Sequence, residues 1–312
     1  MNLLVRSLMV LMRILPLSVR TFLPAETDQD QPQFKARVNL VSLDVEVLNG
    51  QGDPVPDLAR EQFLVNEDGK PMQITNFAWL DDRPVSLALV LDTSAISAEK
   101  LVTFKRFIRE LAYVLARTDE LCLYSFDSRD VYLEMEFTSR RPALEDALDN
   151  IGVPRKGSGG FLKELFGQAP PTGLAIDRAL RKLRAGSHGR KALLVASNRF
   201  RGLGPATVEH VQWSGCTLLT LTTGNSTSLL VTLGGDRISR NQLMKESGGR
   251  QFSADTEDIT GTCRRIAFSL KNHYAIGYLT EIEEGEKKPR RIEVKIPGKD
   301  YTIHHRRTYA VK

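Results

Sequence analysis

Hydrophobic and polar positions alternate from Lys35 to Leu48, with Val38, Leu40, Ser42, Asp44 and Glu46 set against Val41, Leu43, Val45 and Val47. A period of two predicts one long half-buried strand. Asn49-Gly50-Gln51-Gly52 is turn chemistry, and Asp53 to Leu58, with Pro54 and Pro56, is a stiff connection. Phe63 to Glu67 predicts a second strand, and Asp68-Gly69 turns the chain into a third over Met72 to Phe77. This stretch is all-β and cannot cover both faces of its own sheet.

Past Pro84 the pattern changes. Val85 to Leu91 is an apolar run broken only by Ser86; the polar turn Asp92 to Ser97 follows, and Ala98 to Arg117 has helical period. A short apolar run between such boundaries fits a strand buried on both faces, as in a parallel sheet. Further strands are predicted over Leu121–Phe126, with Val131–Phe137 as its antiparallel neighbour, and over Ala192–Ala196, Cys216–Thr222 and Gln251-Phe252. Helices are predicted over Pro142–Ile151, from Thr172 to Leu183, over Pro205–Trp213, over Arg237–Ser247 with a Gly248-Gly249 stop, and over Asp258–Leu270. Strands alternating with helices predict an α/β fold with a doubly wound, mostly parallel sheet and flanking helices. Val153–Pro171 and Asn225–Gly235 lack either period and read as loops.

From His273 the chain is β again: Tyr274–Leu279, a charged turn over Glu281–Pro289, Ile292–Ile296, a Pro297-Gly298 turn and Tyr301–Arg306. The expected division is a signal-like or anchor segment and linker over 1–33, an N-terminal β segment over 34–82, the α/β domain over 83–272, and a C-terminal β segment over 273–312. Each β segment lacks a partner face, so the two are expected to form one composite β-sandwich with the α/β domain inserted in it.

The turn after Leu91 carries the candidate chemistry. It lies at the carboxyl end of a buried strand, where open α/β sheets bind ligands. Asp92-x-Ser94 sets a carboxylate beside a hydroxyl, a pairing suited to a hard cation. Strand and turn together resemble the first metal-site loop of a von Willebrand factor type A (VWFA) domain, a Rossmann-like fold. That family's pattern is Asp-x-Ser-x-Ser, a Thr on a second loop and an Asp on a third. Pro171-Thr172-Gly173-Leu174 resembles the second loop and Leu193 to Asn198 the third, with Ile96 in place of the second Ser and Asn198 in place of the Asp.

The resemblance implies Asp92, Ser94 and Thr172 as the remnant of a degenerate metal-ion-dependent adhesion site. Ile96 offers no oxygen, and Asn198 lacks a charge that would attract a dication. The expectation is therefore no cofactor in preference to a weakly held Mg²⁺, with affinity in the millimolar range or weaker. The competing role for Asp92 is a loop clamp accepting hydrogen bonds from loop amides and the Thr172 hydroxyl.

The edges of the chain are similar to a narrower group, the VWFA-related domain described mostly from acidobacteria. The matching residues are Asp44-Val45-Glu46-Val47 with Gly52, Leu58 with Phe63, Glu67-Asp68-Gly69 with Gln73-Ile74 and Phe77, then Tyr274 to Tyr278 and Arg307-Thr308-Tyr309. The expected function is a non-catalytic protein-interaction module of the cell envelope, of adhesion or scaffold type, with its partner at the Asp92/Thr172 face. This requires Asp92 to be reachable at the rim of the sheet. The rivals are a structural envelope protein with a silent site and, third, a hydrolase.

Composition changes this picture little. In 312 residues, 41% are hydrophobic and 26% charged, ordinary for a globular chain with ample core. The net charge of +5 comes from scattered basic residues without aromatic interleaving, so nucleic acid is not an expected partner. Cys122, Cys216 and Cys263 have no metal-ligand spacing, and no two histidines have zinc-binding spacing beside a carboxylate. Gly157-Ser158-Gly159-Gly160 lacks the strand–Ser–helix setting of a nucleophile elbow, and a role for Glu110 or Asp127 as general acid has no motif behind it. Residues 1–25 are apolar but interrupted by Arg6, Arg13 and Arg20. They read as a poor secretory signal or an interfacial amphipathic helix, which favours a periplasmic, secreted or envelope-associated protein over a cytoplasmic one.

Overall fold

The computed structural model describes residues 36–94, 96–127, 129–152, 172–200, 203–224, 240–283, 286 and 288–311. The segment 1–33 and the loops Val153–Pro171 and Asn225–Gly235 expected above lie outside these residues.

The N-terminal β segment supplies β1 (Ala36–Leu48), β2 (Leu64–Glu67), β3 (Lys70–Met72) and β4 (Ile74–Leu80). In β1 the alternation is realised as expected: Val41, Leu43, Val45 and Val47 are buried, while Val38 and Leu40 face solvent. Asp68 and Gly69 both have positive φ, the requirement of a two-residue hairpin turn between β2 and β3. The single strand expected over Met72 to Phe77 is instead two. β3 stays beside β2, and after Gln73 the chain crosses to the other sheet as β4, with a bulge where its register against the later strand β11 (His273–Glu283) shifts. A period-two pattern reports which face is buried; it carries no sign of the sheet to which the strand belongs.

The α/β domain follows as β5 (Val85–Asp92), α1 (Ala98–Val114), β6 (Glu120–Phe126), β7 (Val131–Thr138), α2 (Arg141–Asn150), α3 (Thr172–Leu183), β8 (Arg190–Ala196), α4 (Pro205–Ser214), β9 (Thr217–Thr222), α5 (Arg240–Ser247), β10 (Gln251–Ser253) and α6 (Ile259–Lys271). Its strand order is β10-β9-β8-β5-β6-β7, parallel except for β7. The chain winds outward one way from β5 and the other way from β8, so the crevice between them is the topological switch point. Every residue of β5 is buried. Leu87, Leu89 and Leu91 pack with α1, α2 and α6 on one face, and Ala88 and Val90 with α3, α4 and α5 on the other. That two-sided core explains the unbroken apolar run.

The chain ends in β11, β12 (Arg290–Lys295), β13 (Thr302–His304) and β14 (Thr308–Tyr309). One sheet has the order β13-β1-β11-β4 and the other β14-β12-β2-β3. Each sheet therefore takes strands from both ends of the chain, and the α/β domain is inserted in this composite sandwich. Phe63, Phe77, Trp79 and Tyr274 form an aromatic cluster in its core. The Tyr274 hydroxyl accepts from the Leu58 amide at 2.9 Å and donates to the Val55 carbonyl at 2.7 Å, tying down the stiff proline-bearing connection.

Candidate functional site at the switch point

β5 and β8 run side by side with Leu91 level with Ala196, so Asp92 and Ser197 leave the sheet at the same height. The hydroxyl of Ser197 lies 2.5 Å from Asp92 Oδ2. On the other oxygen, Asp92 Oδ1 accepts the Ser94 amide at 2.8 Å and the Ser94 hydroxyl at 2.5 Å. Thr93 turns the other way, its hydroxyl donating to the Phe126 carbonyl at 3.0 Å on β6. Asp92 is only 3% exposed. Burial raises its carboxyl above the ordinary value, against the hydrogen bonds from Ser197 and Ser94 and the Arg199 charge, which pull it down.

The structure brings Asp92 and Ser94 together but gives Thr172 a different partner. Thr172 is fully buried at the start of α3, and its hydroxyl donates to the Arg199 carbonyl at 3.4 Å. The hydrogen bond expected between Asp92 and Thr172 is thus replaced by one from Ser197. Ser197 also accepts the Arg199 amide at 3.0 Å, so this one side chain links the first loop to the third. Asn198 faces away: its Oδ1 accepts the Thr223 amide at 2.7 Å and its Nδ2 donates to the Thr223 hydroxyl at 2.8 Å, pinning the end of β8 to the end of β9. Ile96 packs against the core cluster on the α1 face. Ser97, one residue on, is the N-cap of α1 and accepts the Lys100 amide at 3.3 Å.

This donor set does not fit Mg²⁺. The ion demands six oxygens in near-octahedral array. Here the Asn198 side chain bonds Thr223 through both its oxygen and its nitrogen, Ile96 contributes carbon, and the Asp92 carboxyl is sealed at 3% exposure. The arrangement is chemically a clamp: a buried carboxyl gathers the first and third loops through hydroxyl donors. Sequence reasoning passed over Ser197. The contact follows from the parallel register of β5 and β8, which end level and bring their next residues together, and no local pattern carries that register.

The other candidates have structural duties. Glu110 accepts the Thr260 hydroxyl at 2.6 Å, and Asp127 accepts the amides of Arg129 and Asp130. His210 meets Asp177 at 2.9 Å between α4 and α3, and His273 lies 3.2 Å from Asp44, which also pairs with Arg190.

No family model matches the chain, and no curated protein matches it; the narrower resemblance rests on the residues quoted above. Among solved structures the chain is similar to the conserved hypothetical protein BatB from Bacteroides thetaiotaomicron, at 19% identity and TM-score 0.45, covering 59% of this chain and 98% of that one. It is similar to an aerotolerance-related membrane protein from Bacteroides fragilis NCTC 9343, at 19% identity and TM-score 0.44, covering 60% and 98%. A von Willebrand factor type A structure from Catenulispora acidiphila matches at 9% identity and TM-score 0.44, over 89% of this chain and 75% of that one.

Proposed function

We propose that this chain is a non-catalytic protein-binding module of the von Willebrand factor type A kind, acting at the cell envelope without a bound metal ion. The observation that carries the metal-free part of the reading is the closed state of Asp92, which corrects the expectation of a carboxylate reachable at the rim. A carboxylate that coordinates a cation shared with a partner must be open on one side; this one is buried and accepts hydrogen bonds on both oxygens. With Asp92 sealed, the surface offered to a partner moves to the exposed Lys100 and Arg199 beside it, on the loops that the clamp holds in place. The apolar, arginine-interrupted residues 1–25 support an envelope location. Among the described residues no helix is long and apolar enough to cross a membrane.

Titration calorimetry with MgCl₂ tests the metal-free reading: no binding tighter than millimolar is expected. Micromolar binding that disappears in Asp92→Ala would overturn it. Partner capture from an envelope extract is expected to be equal with and without EDTA, and to be lost in a Lys100→Glu, Arg199→Glu double variant of unchanged melting temperature. The sealing of Asp92 also favours a second reading, a structural envelope protein with a silent rim. That reading predicts capture unaffected by the double variant.

A further inference from the structure

Away from the switch point, a cleft of about 190 Å³ opens where the sandwich meets α6. One wall is the end of β1 and the turn after it, Glu46, Leu48, Gly52 and Pro54; the other is Arg250 with Arg264, Arg265 and Phe268 of α6. None of these residues belongs to the loops around Asp92. The β wall is preformed. Asn49 Oδ1 accepts the amides of Gln51 and Asp53, Leu48 bridges Pro54, and Gly52 holds a φ of +83° that other residues adopt only with strain. On the helix, Arg264 and Arg265 stand four and three residues before Phe268, so both neighbour its ring along the helix surface.

The lining has an apolar floor, Leu48, Pro54 and Phe268, and an excess of positive charge at its mouth. Glu46 is matched by Arg250 at 3.1 Å. Arg265 donates to the Thr262 hydroxyl at 2.9 Å, and its one ion pair among the described residues is with the exposed carboxylate of Asp258 at 3.9 Å, a pairing of little worth in water. Arg264 is exposed and makes no ion pair among the described residues. Phe268 leaves 39% of its surface open beside the two exposed arginines, so its ring is available to an apolar side chain. The volume decides the kind of ligand. Pockets for free small molecules run to about 300–1,000 Å³, so this cleft accommodates a single side chain presented by something larger.

We infer that the cleft is a docking site for an acidic segment of a partner protein, which seats one apolar side chain on Leu48, Pro54 and Phe268 and pairs flanking carboxylates with Arg264 and Arg265. Guanidinium groups suit this because their forked donors take a carboxylate in two parallel hydrogen bonds. The site is independent of the rim reading above.

The probe is a fluorescein-labelled peptide, Glu-Glu-Leu-Phe-Glu-Glu, titrated with the full chain at low salt and followed by anisotropy, with amide chemical shifts read in parallel. Saturable binding is expected, with shifts confined to the end of β1, Gly52 and α6. An Arg264→Glu, Arg265→Glu double variant and, separately, a glutamine version of the peptide should each weaken binding about tenfold or more. Phe268→Ser should weaken it with the charges intact. Absence of saturable binding, shifts elsewhere, or affinity unchanged in the double variant overturns the inference. So does binding of phosphatidylglycerol vesicles in place of the peptide, which would make the cleft part of a membrane-facing surface.

Discussion

Arg290 Nη1 lies 2.6 Å from the Glu67 carboxylate, joining strands separated by the whole α/β domain. Glu67 is 4% exposed and also accepts the hydroxyls of Thr280 at 2.5 Å and of Tyr278 and Tyr309 at 2.7 Å each. Burial pushes its carboxyl up, and the three hydroxyls with Arg290 outweigh that push, so it sits below its ordinary 4.5. A buried ion pair gains little over apolar packing, but removing one partner strands the other. Glu67→Gln is expected to cost about 3–5 kcal/mol in urea unfolding. The sign with pH follows from the lowered value: the stabilisation is complete above about pH 4.5 and is lost as pH falls through the folded value. The variant should therefore lose part of the acid dependence along with the stability. An unchanged urea midpoint would show that the network holds nothing together.

Ser197 makes a second test, because Asp92 shifts in the opposite direction. Its folded carboxyl is raised above 3.8, so the folded state keeps a proton that the unfolded chain releases. Stability contributed by this group is then present at low pH and declines as pH rises from about 3.8 toward the folded value. Ser197→Ala removes the donor to Oδ2 and should cost about 1–3 kcal/mol at neutral pH. Carbon-detected NMR titration of Asp92 should show its carboxyl moving further up in the variant. Movement downward would mean that the hydroxyl does not donate to the carboxylate.

Much of the architecture was readable from periodicity, and the reasons are visible in particular residues. β5 declared itself because both of its faces are covered, so Val85 to Leu91 could carry no large polar side chain. β1 declared itself because one face is wet over its first half. Two long apolar patterns flanking an α/β insert announced the sandwich, since neither could bury itself. The split at Gln73 was not readable, because both halves keep the same alternation while changing sheets. Within the site, Asp92-x-Ser94 was legible as a local turn, whereas the Ser197 contact spans 105 positions and depends on strand register. Asn198 looked like a weakened ligand; its amide bonds Thr223 through both oxygen and nitrogen, a pairing that local spacing could not reveal.

The three thiols give a prediction about reactivity. Cys122, Cys216 and Cys263 are all free and buried, and burial pushes each thiol up to about 12. The thiolate is the reactive species, so at pH 8 each is both protonated and covered. Ellman's reagent should label none of them in the native protein and all three in guanidinium. Rapid labelling of one thiol in the native state would reveal an opening of the sheet or of α6 that the fold gives no reason to expect.

The composite sandwich supports the strongest claim about folding. β1 pairs with β11 from Ala36↔Glu283 to Val45↔Tyr274, and β2 pairs with β12 from Glu67↔Ile292 to Leu64↔Lys295. Among the strands before residue 83, by contrast, the one pairing within the segment is the short hairpin of β2 and β3. A two-stranded hairpin in isolation is marginal in water, and β1 and β4 would have no neighbour at all. A fragment covering residues 34–83 should therefore be unfolded by circular dichroism, and the complementary fragment should lose the strand signal of its C-terminal segment. Mixing the two should restore that signal together with the burial of Tyr274 and Tyr278, both fully buried in the intact chain. A cooperative melt of the 34–83 fragment alone would show that it carries its own core, and the two ends would then be separate small domains.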